Sequence, residues 1–196
     1  MKKFLTVSLY LITVVLGDPG GKYSILLEGI VGPFKPNIDF YEKVYTNPSV
    51  IGSAKIGVGY DNGYLIAGYR LFQDDGVSIV ENLAVDGVAH WRQEMFSIGL
   101  RSIEDAFYFD IEYVIGSVKE EIGTKNPQID ALKKTINSID NRGVSIAGGF
   151  LIPVFSTIHI NLEAEYLRLP IYIDNSKSEK IQAGGMHFSV GLSFIL

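Results

Sequence analysis

The feature that most constrains this chain is a two-residue alternation in which the charges keep to one side. Eight stretches place apolar side chains at every second position, the signature of strands with one greasy face. Within them Glu28, Lys55, Arg70, Arg101, Asp110, Glu112, Glu163 and Glu165 all fall on one parity. The other parity is almost wholly apolar: Phe96, Ile98 and Leu100 in one stretch, Phe107, Phe109, Ile111, Tyr113 and Ile115 in the next, Ile158, Ile160, Leu162, Ala164 and Tyr166 in a later one. Placing a Lys or Arg against mid-bilayer lipid costs about 2–4 kcal/mol. Eight outward charges would exceed the whole stability of an ordinary domain, roughly 5–15 kcal/mol. The charged parity is therefore expected to face inward and the apolar parity outward, the reverse of a soluble barrel or sandwich.

The connections support the same architecture. Asp61-Asn62-Gly63 reads as a hairpin turn, with Asn-Gly supplying positive φ angles. Ile103-Glu104-Asp105 and Phe155-Ser156-Thr157 are also tight. Between them lie long stretches at about 32–53, 74–89, 117–143 and 169–181. Short connections at one end and long ones at the other are the habit of transmembrane barrels, with short periplasmic turns and longer outer loops. The expected fold is all-β, an eight-stranded antiparallel up-and-down transmembrane β-barrel. The third outer loop is predicted to hold a short helix: Asn126 suits its cap, Pro127 its first turn, and Ile129, Leu132, Ile136 and Ile139 recur at helical spacing.

Residues 1–17 read as a signal peptide. Lys2 and Lys3 precede an uncharged apolar run from Phe4 to Leu16, and Asp18-Pro19-Gly20-Gly21 breaks any helix beyond it. The run is too short to span a bilayer comfortably. The barrel domain is then 18–196. No later apolar run reaches the length of a spanning helix. The chain has no Cys, which excludes disulfides and thiolate metal sites. Its net charge of −5 offers nothing to nucleic acid.

An eight-stranded barrel has an interior just wide enough for side chains. The expected lumen network comprises Glu28, Lys55, Arg70, Arg101, Asp110, Glu112, His159, Glu163, Glu165 and His187. Unpaired ions there are costly, so these groups must pair. Neighbouring strands suggest Glu28 with Lys55 and Arg101 with Asp110, and barrel closure turns His187 towards Glu28. The interior is expected to be plugged, without an open pore. On the apolar face, Tyr23, Tyr60, Phe107 and Phe194 near the turns and Tyr69, Tyr113 and Tyr166 near the loops are placed as two interfacial girdles.

The ending Met186-His187-Phe188-Ser189-Val190-Gly191-Leu192-Ser193-Phe194-Ile195-Leu196 resembles the last strand of bacterial outer-membrane proteins. Phe188, Val190, Leu192, Phe194 and Leu196 carry the alternation, with Leu196 standing where Phe is usual. Size, strand number and leader together resemble the small OmpA/OmpX-like barrels. The resemblance implies a bacterial outer membrane, contact with its lipid and lipopolysaccharide, and insertion by the barrel-assembly machinery, which reads that terminal strand.

Chemistry is sparse. Ser189 and His187 share a face but stand about 7 Å apart by strand rise, too far for a nucleophile and its base. The pairs Asp110/Glu112 and Glu163/Glu165 suit salt bridges in a sealed lumen better than acid–base work. No ligand spacing supports a metal at His159 or His187 with Glu163, and Gly57-Val58-Gly59-Tyr60-Asp61-Asn62-Gly63 fails the dinucleotide pattern. No catalytic, cofactor or metal site is assigned. Phe34, Phe40, Tyr41, Tyr45, Phe72 and Trp91 fall in or beside the outer loops, where exposed aromatics suit a surface ligand and mutual packing is the plainer use. The functional expectation is a structural or surface-binding barrel acting through its outer loops, without catalysis; a small-solute or hydrophobic-molecule conduit and a soluble exported ligand-binding barrel are the alternatives.

Overall fold

The computed structural model of the chain describes residues 23–38, 41–45, 49–76, 87–124, 134–172 and 180–196. The leader segment lies outside them. Eight long strands follow one another: β1 (Tyr23–Phe34), β2 (Ser49–Tyr60), β3 (Gly63–Gly76), β4 (Gly87–Glu104), β5 (Phe107–Thr124), β6 (Lys134–Pro153), β7 (Ile158–Arg168) and, after a small hairpin, β10 (Gly185–Ile195). Each pairs antiparallel with its predecessor, and β10 closes on β1 with Glu28 opposite Ser193 and Val31 opposite Val190. The hairpin, β8 (Pro170–Tyr172) with β9 (Lys180–Gln182), and the single-turn α1 (Tyr41–Val44) stand at the long-connection end.

Two of the tight turns hold two residues each, Asp61-Asn62 and Asp105-Ala106; Val154–Thr157 makes the third. The turn chemistry differs from the Asn-Gly reading. Asp61 and Asp105 take the left-handed conformation, each at φ 54°, and Gly63 already opens β3 opposite Tyr60. Asp tolerates this region because its short side chain bonds locally.

The strands run further than the alternation predicted. β4, β5 and β6 have 18, 18 and 20 residues, against about 9–11 for a membrane-spanning strand. Their far halves carry polar outward residues such as His90, Arg92, Glu94, Lys119 and Glu121, so the greasy parity fades while the hydrogen-bond ladder continues. A register shift between Gly116 and Val118 marks a bulge, where Asn141 donates to the Gly116 carbonyl at 3.2 Å.

The third-loop helix is corrected in part. Residues 125–133, with Asn126, Pro127, Ile129 and Leu132, lie outside the described residues. Ile136 and Ile139 lie in β6, whose start pairs Lys134 with Ile122 and Ile136 with Glu120. A 3-4-3 spacing of Ile and Leu fits a helix, but for Ile136 and Ile139 the ladder offered by β5 overrides it. The short helix that is described, α1, belongs to the first long connection.

The faces segregate sharply. Phe96, Leu100, Phe107, Ile111, Leu162, Phe188 and Leu192 are exposed on the outside, with Phe96 at 63% and Leu100 at 61%. Arg101 at 2% and Arg70 at 0% are sealed inside. The interior has layers. A small apolar cluster, Leu26, Tyr64 and Ile66, sits towards the tight turns. Charged groups fill the middle. A larger apolar core, including Phe34, Ile38, Tyr41, Tyr45, Phe72, Trp91, Met95 and Leu169, fills the long-connection end.

Candidate functional site

Alternation on six strands delivers the charged side chains to one layer of the lumen. Arg101, from β4, forks in two directions. Its Nε and Nη2 donate to the two Asp110 carboxylate oxygens at 2.6 and 2.7 Å, and its Nη1 and Nη2 donate to Glu28 at 2.7 and 3.0 Å. The guanidinium also lies over the Tyr108 ring, 4.0 Å from its centroid. Lys55 is the hub. Its Nζ lies 2.9 Å from Glu163, 3.0 Å from Asp110 and 3.1 Å from Glu112. Arg70 holds Glu112 at 2.8 Å and Glu165 at 2.9 Å, and donates to Ser97 Oγ at 2.9 Å. Bidentate, charge-assisted pairs of this kind offset the desolvation of ions more fully than single contacts do.

The sequence-derived pairings meet this geometry unevenly. Arg101 and Asp110 are cross-strand partners and bond directly. Glu28 and Lys55 are also register partners, but their charged atoms stand 3.9 Å apart, and Glu28 bonds Arg101 instead. His187 does not approach Glu28; its Nε2 lies 3.3 Å from Glu165, because β10 pairs His187 with Glu165 across β7. His159 stands apart from the charged cluster near the tight-turn end, opposite Ser193 and Pro153. Several uncharged members escaped the reading. Asn161 donates to Glu28 at 2.6 Å, Ser193 donates to it at 2.8 Å, and the Tyr108 hydroxyl lies 2.8 Å from both Asn161 and Glu163. Ser97 and Ser145 donate short hydrogen bonds to Glu112 and Glu165. All share the charged parity, which was their only sequence signal.

Chemically, most of the layer is matched; Glu163 Oε1 and His187 Nδ1 are buried there without a hydrogen-bond partner. Glu163, Glu165 and His187 bring three metal-type ligand atoms within 4.8 Å of one another, a convergence that spacing along the chain did not reveal. Lys55 and Arg70 already hold these two carboxylates, so an added cation would have to displace a resident one. His187 faces a carboxylate and not a serine hydroxyl.

Above the ions, the loop aromatics turn inward. Phe34, Tyr41, Tyr45, Phe72 and Trp91 are all buried, so mutual packing is their use and not display to a surface ligand; Phe40 lies outside the described residues. α1 and the residue after it drop their aromatics into the barrel: Tyr41 and Tyr45 stack at 4.5 Å, and Trp91 meets them edge-on at 5.6 and 6.2 Å. Their hydroxyls stay satisfied. Tyr41 donates to Asp74 at 2.5 Å and Tyr45 to Glu120 at 2.9 Å. Burial, and then the adjacent carboxylates, push both phenols well above their usual range. At the rim, a recess of about 550 Å³ is lined by charges of both signs, among them Asp74, Asp75, His90, Arg92 and Lys119.

No family model and no curated protein matches the sequence. Solved structures do match its fold. The outer membrane protein OprG from Pseudomonas aeruginosa is 11% identical, with a TM-score of 0.59 over 90% of this chain and 97% of that one. Ail, the attachment invasion locus protein of Yersinia pestis, was solved with the heparin analogue sucrose octasulfate; it is 12% identical, with a TM-score of 0.53 over 89% of this chain and 99% of that one. With its apolar exterior, ionic lumen and β10-to-β1 closure, the chain has the fold of the small eight-stranded outer-membrane β-barrels.

Proposed function

We propose that the protein is an integral outer-membrane barrel without catalytic activity, which anchors a rigid, charged mouth for surface binding. The observation that carries this reading is the inverted barrel. Leu162 is 42% exposed on the outside while its neighbours Asn161 and Glu163 are sealed within. Along β7 the outward apolar run from Ile158 to Tyr166 covers roughly 20 Å of height at ~3.3 Å per residue and the usual tilt, close to the ~25 Å band of such barrels. A water-soluble barrel would lose the hydrophobic contribution of that whole surface.

The interior favours an anchor over a conduit, since three bases and five acids fill its middle, with a buried aromatic cluster above them and Leu26, Tyr64 and Ile66 below. Specificity then belongs to the rim. Ail was solved with a polysulfated sugar; the recess of this chain mixes Asp74, Asp75 and Glu121 with Arg92 and Lys119, which suits a ligand bearing both signs or none. Outer-membrane lipid, lipopolysaccharide and the assembly machinery, which would read Phe188 to Leu196, are the partners this reading carries.

The test is insertion. Refolded protein should migrate differently on a denaturing gel before and after boiling, and stay silent in planar bilayers. Leu162→Arg should abolish the heat-sensitive band, at a cost of about 2–4 kcal/mol per lipid-facing Arg. Recovery of the wild type from the soluble fraction, with one mobility, would refute the membrane reading; steady conductance would favour the conduit.

A further inference from the structure

On the outside of the barrel, one step above the apolar belt, a groove of about 220 Å³ opens across β5, β6 and β7. Tyr113, Arg142, Gly143, Val144, Arg168 and Pro170 line it. We propose that this apolar groove seats the upper chain of an outer-leaflet glycolipid whose phosphate Arg142 and Arg168 clamp at its edge, with Tyr113 and Val144 bearing on the chains beneath. The proposal rests on the outer-membrane reading above and gives that reading a specific lipid partner.

Register places the two cations. Val144 pairs with Arg168 across β6 and β7, and Arg142 lies two residues beyond Val144 on the same outward face. They are therefore diagonal neighbours with Cα atoms roughly 7–8 Å apart. That separation lets two guanidinium groups grip one tetrahedral anion from both sides, each able to bond bidentately.

Depth selects the anion. Tyr113 and Tyr166 face outward at the top of the belt, 43% and 50% exposed, where amphipathic rings mark the headgroup level. Below them the outward residues are Ile111, Ile146 and Leu162. An Arg just above such a ring meets lipid phosphates before it meets bulk water. Charge pairing selects it again. Elsewhere on the rim, Arg92 is already held by Glu94 at 2.5 Å. Among the described residues, no carboxylate lines the Arg142–Arg168 groove. The paired cations also stand out on a chain of net charge −5.

The experiment is native mass spectrometry of the full refolded protein in detergent, offered bisphosphorylated lipid A, the same lipid stripped of phosphate, or inorganic pyrophosphate. Wild type and Arg92→Gln should retain the phosphorylated lipid, and Arg142→Gln/Arg168→Gln should retain at least about tenfold less, the scale of losing charge-assisted contacts. Equal retention of both lipids by the wild type overturns the proposal without any variant. So does unchanged retention by the double variant, an equal loss in Arg92→Gln, or displacement of the lipid by pyrophosphate at matched concentration, which would mark a free-anion site. Heat-sensitive gel migration, read on each sample, separates these outcomes from failure of the membrane reading itself.

Discussion

At the scale of the residue, the decisive quantity is the cost of an ion without its partner. Arg101 serves Glu28 and Asp110 at once, and neither carboxylate can reach water. Arg101→Met should therefore destabilise the folded barrel by about 3–5 kcal/mol, the range for breaking a buried pair from one side. Urea unfolding in detergent or lipid checks it, and a change under about 1 kcal/mol would place the network's weight elsewhere. Parity alone put Glu28, Lys55, Arg70, Arg101, Asp110, Glu112, Glu163, Glu165 and His187 inside. Parity could not say that Glu28 accepts from Arg101, 73 positions away, in preference to the Lys55 it faces in register. Lumen side chains reach across the barrel, and that choice depends on length and angle in three dimensions.

At the scale of the element, α1 is a stopper. Four helical residues cannot hold themselves together; Tyr41 and Tyr45 hold the turn by stacking on each other and by bonding Asp74 and Glu120. Both phenols keep their protons in the folded state beyond the pH at which free ones lose them, so their stabilisation is complete below the ordinary value, about 10. Above it, the unfolded phenols ionise first, fewer protons are bound there than in the folded state, and stability falls as pH rises. Melting in liposomes should decline from about pH 10 upward in the wild type. In Tyr41→Phe/Tyr45→Phe the decline should be shallower, from a lower plateau. Identical slopes would show that α1 does not control alkaline stability. The aromatics of this stopper were visible in the sequence, but their direction was not, since a loop residue carries no two-residue period to say which way it points.

At the scale of the whole molecule, closure decides everything, because one open seam would expose unpaired backbone along the length of the barrel. Two glycines at the β1–β10 seam separate this effect from simple tolerance. A Cβ on Gly191 would lie 2.0 Å from the Gly29 carbonyl and 2.6 Å from the Ile30 Cα, whereas one on Gly29 would meet nothing within 4 Å. Gly191→Ala should slow folding into vesicles and leave much of the protein in its unfolded gel position, and Gly29→Ala should fold like the wild type. Equal yields would mean that the seam can relax around an added methyl.

What the amino-acid order settled alone was the two-residue period, the sense of inside and outside, and the alternation of short and long connections. Each is a local property that every strand repeats. What needed the tertiary structure was everything that depends on separate strands meeting: the continuation of β4, β5 and β6 beyond the greasy span, the inward turn of Tyr41 and Trp91, and the partners of His187 and Glu28. Beyond the lipid, water no longer demands an apolar face, so the periodic signal stops while the ladder goes on. Inside the lumen, pairing is chosen by reach across the barrel, a distance that no spacing along the chain encodes.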